Sequence, residues 1–272
     1  MQHFTCPVCS EKLETVERSL RCSAGHNFDL ARQGYVNLLG GGGTRHAHGD
    51  DKLMVAARTA FLSGGHYNVL VEALCRTAVE ITDNSVHLLD VGCGEGFYTC
   101  RVAEALRGAL KRVDVSGIDI SREALIAFSR RDKTANLAVA RIASLPLADE
   151  SCDLVFNLFA PQSDSEFLRV TKRGGHLVCV FPLEEHLMGL KKAIYEKTYE
   201  NPAPAYAPEG FRLVKKEEVR KTLILERSED IQNLFSMTPY YYKTGREDKE
   251  KARGLTYLET PIAFGIFVYE KE

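Results

Sequence analysis

One stretch constrains this chain more than any other: Leu88-Leu-Asp-Val-Gly-Cys-Gly-Glu-Gly-Phe97. An apolar run from Val86 to Val91 has the length of a buried strand, and the residues from Phe97 to about Leu110 read as a helix. Between them stand three alternating glycines, Gly92, Gly94 and Gly96, directly after the acid Asp90. Glycine lets the backbone turn sharply and pass close to a ligand with no Cβ in the way. A dinucleotide fold would show G-x-G-x-x-G here, to seat a pyrophosphate on the helix N-terminus. This spacing is G-x-G-x-G instead. A second acid, Asp119, ends the next strand in Gly117-Ile-Asp-Ile-Ser121, where a carboxylate can accept both hydroxyls of a ribose.

The pattern around this turn alternates strand and helix. Strands are expected at Val115–Ile120, Leu137–Ile142, Asp153–Phe159, His176–Phe181, Thr222–Leu225 and Ile262–Val268. Helices are expected over about 52–62, 69–81, 121–131, 164–170, 185–199, 229–235 and 248–258, with Asp50 or Asp51 and Ser121 as caps. Repeated strand–helix units imply an α/β fold with a parallel, doubly wound, Rossmann-like sheet. A closing antiparallel pair would bring the sheet to seven strands.

The first 36 residues are different in kind. Cys6-x2-Cys9, then Cys22-x3-His26, supply two close pairs of soft or borderline ligands separated by a loop. That is what a tetrahedral Zn²⁺ site needs. Four protein ligands leave no open position, so the zinc is expected to be structural. The expected organisation is a zinc-binding module at 1–36, a Gly-rich linker at 37–49 and a cofactor domain at 50–272. The linker contains Gly40–Gly43, and loss of the metal is expected to melt the module while the cofactor domain stays folded.

Composition narrows the setting. Five further cysteines (Cys75, Cys93, Cys100, Cys152 and Cys179) are scattered within apolar patterns, as buried thiols are in a reducing compartment. The start carries no signal-peptide pattern and no apolar run reaches membrane-spanning length, so a cytoplasmic protein is expected. The net charge of −2 argues mildly against a nucleic-acid partner and confines any basic surface to a local patch.

The turn and its two acids resemble the first motifs of class I S-adenosylmethionine-dependent methyltransferases. The whole chain resembles the RlmA-type 23S rRNA (guanine-N1)-methyltransferases, which include the tylosin-resistance enzymes. The resemblance runs through Cys6-Pro-Val-Cys9, Cys22 with His26, Phe28-Asp-Leu-Ala-Arg-Gln-Gly-Tyr-Val-Asn-Leu-Leu39 and Arg58-x-x-Phe-Leu-x-x-Gly-His-Tyr67. It continues through Asp90–Gly96, Tyr98-Thr99, Ala160-Pro161, Gly174-Gly175, His186-Leu-Met-x-Leu-Lys191 and Met237-Thr-Pro239. It implies zinc on Cys6, Cys9, Cys22 and His26. It implies S-adenosylmethionine against Tyr67, Asp90, Gly92, Gly94, Glu95, Gly96, Phe97, Asp119 and His186.

The implied reaction is methyl transfer to N1 of a guanine in a 23S rRNA hairpin loop. Arg32, Arg45 and Arg58 are candidate phosphate contacts, and Asn157, Phe159 and Pro161 border the place where donor and acceptor meet. No side chain stands out as a general base, and a homodimer is left open. Two other readings stand beside this one: a methyltransferase for a small molecule, and an RNA-binding zinc protein with an inactive cofactor fold.

Overall fold

The computed structural model describes residues 3–39 and 49–272. Gly40–Gly43, Arg45, His46 and His48, which carry most of the expected linker, lie outside the described residues.

Four short strands come first: β1 (Glu14–Val16), β2 (Ser19–Arg21), β3 (Asn27–Asp29) and β4 (Tyr35–Asn37). The first three form a small antiparallel ribbon. Next come α1 (Lys52–Ser63), α2 (Asn68–Ile81), β5 (Ser85–Val91), α3 (Phe97–Gly108), β6 (Arg112–Asp119), α4 (Arg122–Arg131), β7 (Asn136–Val139) and β8 (Cys152–Leu158). The chain ends with α5 (Asp164–Val170), β9 (Thr171–Pro182), α6 (Met188–Ile194), β10 (Phe211–Leu225), α7 (Ser228–Ser236), α8 (Tyr240–Lys243), α9 (Arg246–Arg253) and β11 (Leu258–Lys271).

The large sheet has the order β10-β11-β9-β8-β5-β6-β7-β4. Strands β5, β6, β7, β8 and β9 run parallel, and β11 lies antiparallel between β9 and β10. Every residue of β5 after Ser85 is buried, because helices or other chain cover both faces of a parallel sheet. The alternating order places the C-terminal ends of β5, β6 and β8 along one edge, where such sheets bind ligands.

Among the described residues the sheet has eight strands where seven were expected. The extra one is β4, which leaves the ribbon and pairs in parallel with β7, Tyr35 opposite Leu137. The expected boundary at residue 36 therefore falls inside a strand of the large sheet. The ribbon's apolar side chains, Phe4, Leu13, Leu20 and Val36, share one core with Leu89, Val91, Ile118 and Leu147. Phe4 bridges Leu147, and the N–H of Thr5 donates to the carbonyl of Pro146 at 2.9 Å. His3 stacks on the buried His87 with ring centroids 3.9 Å apart. Between β7 and β8 the chain forms no helix, and the ribbon lies against that crossover, covering the sheet face that a helix would otherwise cover.

Other boundaries also moved. The helix expected over 185–199 is only α6, because residues 183–187 form a turn clamped by Asn201. The Asn201 side-chain amide donates to the carbonyls of Leu183 at 2.9 Å and His186 at 3.3 Å. Strands β10 and β11 are much longer than the apolar runs that announced them, since β10 is an edge strand whose charged residues face solvent. The caps held: Asp51 accepts the Met54 N–H at 2.9 Å and Ser121 that of Ala124 at 3.2 Å.

Candidate active site and metal centre

The four metal ligands converge. The donor atoms of Cys6, Cys9, Cys22 and His26 all lie within 4.8 Å of one another. Cys9 and Cys22 sulfurs are 3.6 Å apart, and Nδ1 of His26 is 3.6 Å from Cys6 Sγ and 3.3 Å from Cys22 Sγ. Bonds of ~2.3 Å to sulfur and ~2.0 Å to nitrogen give tetrahedron edges of roughly 3.5–3.8 Å, so the four donors fit Zn²⁺. A Cys3His set with no open position holds a structural ion, and the ribbon around it is too short to build a core of its own.

At the sheet edge the three glycines have left-handed backbones, φ +78° at Gly92, +54° at Gly94 and +73° at Gly96, a region costly for residues with a Cβ. Their surroundings separate their roles. A Cβ at Gly92 would meet the Ala160 methyl at 2.4 Å, and one at Gly96 would strike the Phe128 ring at 2.4 Å. Those two glycines let the loop pack against the chain just after β8 and against α4. Among the described residues a Cβ at Gly94 would meet only Nη1 of Arg58, at 3.4 Å, so of the three Gly94 has the least obstructed backbone.

Two carboxylates frame this loop. Asp90 is 2 % exposed; its Oδ2 accepts from the Thr99 hydroxyl, and its Oδ1 has no partner among the described residues. Burial pushes the Asp90 carboxyl up to about 7, Thr99 pulling the other way. Asp119 accepts the N–H of Gly94 through Oδ2 at 2.8 Å and that of Ser121 through Oδ1 at 2.7 Å. Burial raises it too, against those two bonds. Each Asp119 oxygen keeps a further lone pair for a hydroxyl. Glu95 is buried and its carboxylate faces Arg131 at 3.3 Å, while Phe97 packs into the core beneath the Arg131 guanidinium.

An aromatic wall continues from the loop. Tyr67 is 4 % exposed and its hydroxyl has no partner among the described residues. Its ring meets Phe264 at 5.0 Å and His186 at 6.3 Å. Phe264 meets Phe159 at 5.6 Å, and Phe159 meets Tyr98 at 6.3 Å. Phe159 has φ +60° and is 45 % exposed. His186 accepts the Ala263 N–H through Nδ1 at 3.2 Å, and burial pushes it down to about 3. Its ring is thus neutral with the proton on Nε2, a donor rather than a proton acceptor.

The sequence-derived candidates Tyr67, Asp90, Gly94, Asp119 and His186 therefore stand along one rim, the C-terminal edge of the sheet. Unpartnered buried atoms on Tyr67 and Asp90, with the least obstructed backbone of the loop at Gly94, fit a ligand that carries both charge and polar groups. Asn157 donates to the Pro161 carbonyl at 2.9 Å and holds the loop after β8. Arg58 is a correction: it faces inward, paired with Asp50 and bonded to the Met237 carbonyl at 3.3 Å, and is not a surface phosphate contact. The bonds of Thr99 to Asp90 and of Asp50 to Arg58 were not legible beforehand, since nothing in a helical Thr or an Asp beside a helix cap marks its tertiary partner.

This fold and rim define a class I S-adenosylmethionine-dependent methyltransferase, joined to a zinc ribbon. A family model described as a methyltransferase domain matches residues 89–179, and one described as RlmA, N-terminal, matches residues 4–40. The chain is 37% identical over 199 residues to the 23S rRNA (guanine(748)-N(1))-methyltransferase of Streptomyces fradiae, covering 71% of this chain and 68% of the relative. A protein of Micromonospora griseorubida whose name carries a 23S rRNA (guanine-N1)-methyltransferase activity is 37% identical over 210 residues, 70% of this chain and 69% of that one. A similarly named protein of Bacillus subtilis is 32% identical over 212 residues, 74% and 73%. The chain belongs to the RlmA-type 23S rRNA (guanine-N1)-methyltransferases. Its cofactors are S-adenosylmethionine and zinc. Among the described residues no helix is long and apolar enough to cross a membrane.

Proposed function

We propose that this protein methylates N1 of a guanine in a hairpin loop of 23S rRNA, in the cytoplasm. The observation that carries the reading is that the glycine loop meets the chain beside an exposed aromatic ring: a Cβ at Gly92 would touch Ala160, the residue after the half-exposed Phe159. A base with a free Watson–Crick edge, looped out or flipped, would be received by such an aromatic wall.

S-adenosylmethionine supplies a methyl group activated on a sulfonium. Asp119 would accept the ribose hydroxyls, and Asp90 Oδ1 would accept from the ammonium end. Gly92, Gly94, Gly96 and the backbone at Glu95 and Phe97 form the floor, and Tyr67 and His186 close the far side. These side chains bind and orient, and positioning is the main contribution to such a transfer. His186, with its proton fixed on Nε2, donates a hydrogen bond and does not take the N1 proton.

The ribbon, with exposed Arg32 beside it, is proposed to touch RNA backbone next to the pocket. Nothing in this reading requires a homodimer. Mass mapping of 23S rRNA from a deletion strain, before and after incubation with the protein, is the test. Appearance of 1-methylguanosine at one position supports it; methylation of another nucleoside, or none, overturns it.

A further inference from the structure

The geometry points to Arg58 as the side chain that receives the α-carboxylate of S-adenosylmethionine. This rests on the placement of the cofactor over the Gly92–Gly96 loop. Helix α1 is pinned across the end of β6: Ser121 donates through its hydroxyl to the Asp50 carbonyl at 2.6 Å, and Asp51 caps the helix. Arg58 then projects from α1 toward the loop, its Nη1 only 3.4 Å from where a Gly94 Cβ would stand. A ligand group lying over Gly94 where that Cβ would stand comes within contact distance of this guanidinium.

Charge decides which part. Asp50, Asp90, Glu95 and Asp119 surround the same space, and the cofactor has two cationic groups, the sulfonium and the ammonium, against one anion. The acidic surroundings suit the cations and repel the carboxylate, which needs a cation of its own. Arg131 is engaged by Glu95 and lies over the Phe97 ring at 5.4 Å. Arg58 uses one N–H on Asp50 and one on the Met237 carbonyl. A guanidinium has five, so three remain among the described residues. Burial works against its charge, but Asp50, Glu95 and Asp119 outweigh that and keep it protonated. Held from two sides, its planar fork is already ordered for a carboxylate.

Calorimetric titration separates this role from a purely structural one. The ligands are S-adenosylmethionine and its decarboxylated analogue, and the proteins are the wild type, Arg58→Gln and Arg58→Lys. The wild type is expected to bind S-adenosylmethionine roughly 10–100-fold more tightly than the analogue, the range of a charge-assisted pair. Arg58→Gln should lose that margin for S-adenosylmethionine and leave the analogue within about threefold, with Arg58→Lys in between. Equal affinity of the wild type for both ligands would overturn the inference even if Arg58→Gln fails to fold. Equal weakening of both ligands by Arg58→Gln would overturn it as well. A wild type that binds neither ligand would overturn the cofactor placement itself, a different result from either of these.

Discussion

Oδ2 of Asp119 accepts the backbone N–H of Gly94 at 2.8 Å, so the acid at the end of β6 holds in place the loop that follows β5. The same carboxylate is proposed to bind the ribose. Replacing it with alanine removes both functions, and Asp119→Ala is expected to weaken S-adenosylmethionine binding by roughly 10–100-fold, on the scale of a lost charged hydrogen bond. Calorimetry would report this, and an unchanged dissociation constant would refute the ribose contact.

Asp90 should make cofactor binding pH-dependent. Its folded value of about 7 lies above the ordinary carboxylate range, so the free protein holds a proton there that an unfolded chain gives up near pH 4. Asp90 therefore contributes its full stability only below about pH 4, and that contribution is lost as pH rises through about 7. A bound ammonium favours the carboxylate and expels the proton. Affinity should then rise roughly tenfold per pH unit below 7 and flatten above it. Asp90→Asn should bind more weakly and without that slope. A flat profile in the wild type would show that Asp90 is not the ammonium acceptor.

The shared core changes what loss of zinc should do. Cys9→Ser or Cys22→Ser is expected to release the ion, as elemental analysis would show. Because Phe4, Leu13, Leu20 and Val36 pack on the sheet itself, the whole chain should then melt in one transition at lower temperature. Two separate transitions in scanning calorimetry, with the later one unmoved, would mean the ribbon and sheet are thermally independent. Deleting residues 1–36 should cost more still, since it cuts β4 and bares that apolar face.

Phe159 offers a test of the acceptor side. Stacking of a base on an aromatic ring contributes ~1–3 kcal/mol, so Phe159→Leu should lower kcat/KM for 23S rRNA by roughly 5–150-fold. Cofactor affinity should hold steady, and Phe159→Tyr should restore most of the rate. Equal activity of the leucine variant would argue that the base is received elsewhere.

The candidate cofactor edge was largely legible as a strand and a turn because its signals are local: a strand, a turn of alternate glycines and an acid are read within ten residues. So was the zinc site, since its ligands come in two short pairs. The docking of the ribbon was not, because the partners of Phe4 and Tyr35, namely Leu147 and Leu137, are distant in sequence and apolar like many others. Arg58 was misplaced for the same reason. A lone arginine on an amphipathic helix carries no mark of the direction it faces, and only the pinning of α1 by Ser121 turns it toward Gly94.

The bridge from Phe4 to Leu147 also orders events during synthesis. The ribbon is made before the sheet, and its apolar side is fully covered only once the segment before β8 has been made. At ~5–20 residues per second that interval lasts many seconds. Throughout it the nascent ribbon leans on the metal to stay folded, so in a zinc-starved cell the earliest casualty would be the newly made chain rather than the finished enzyme.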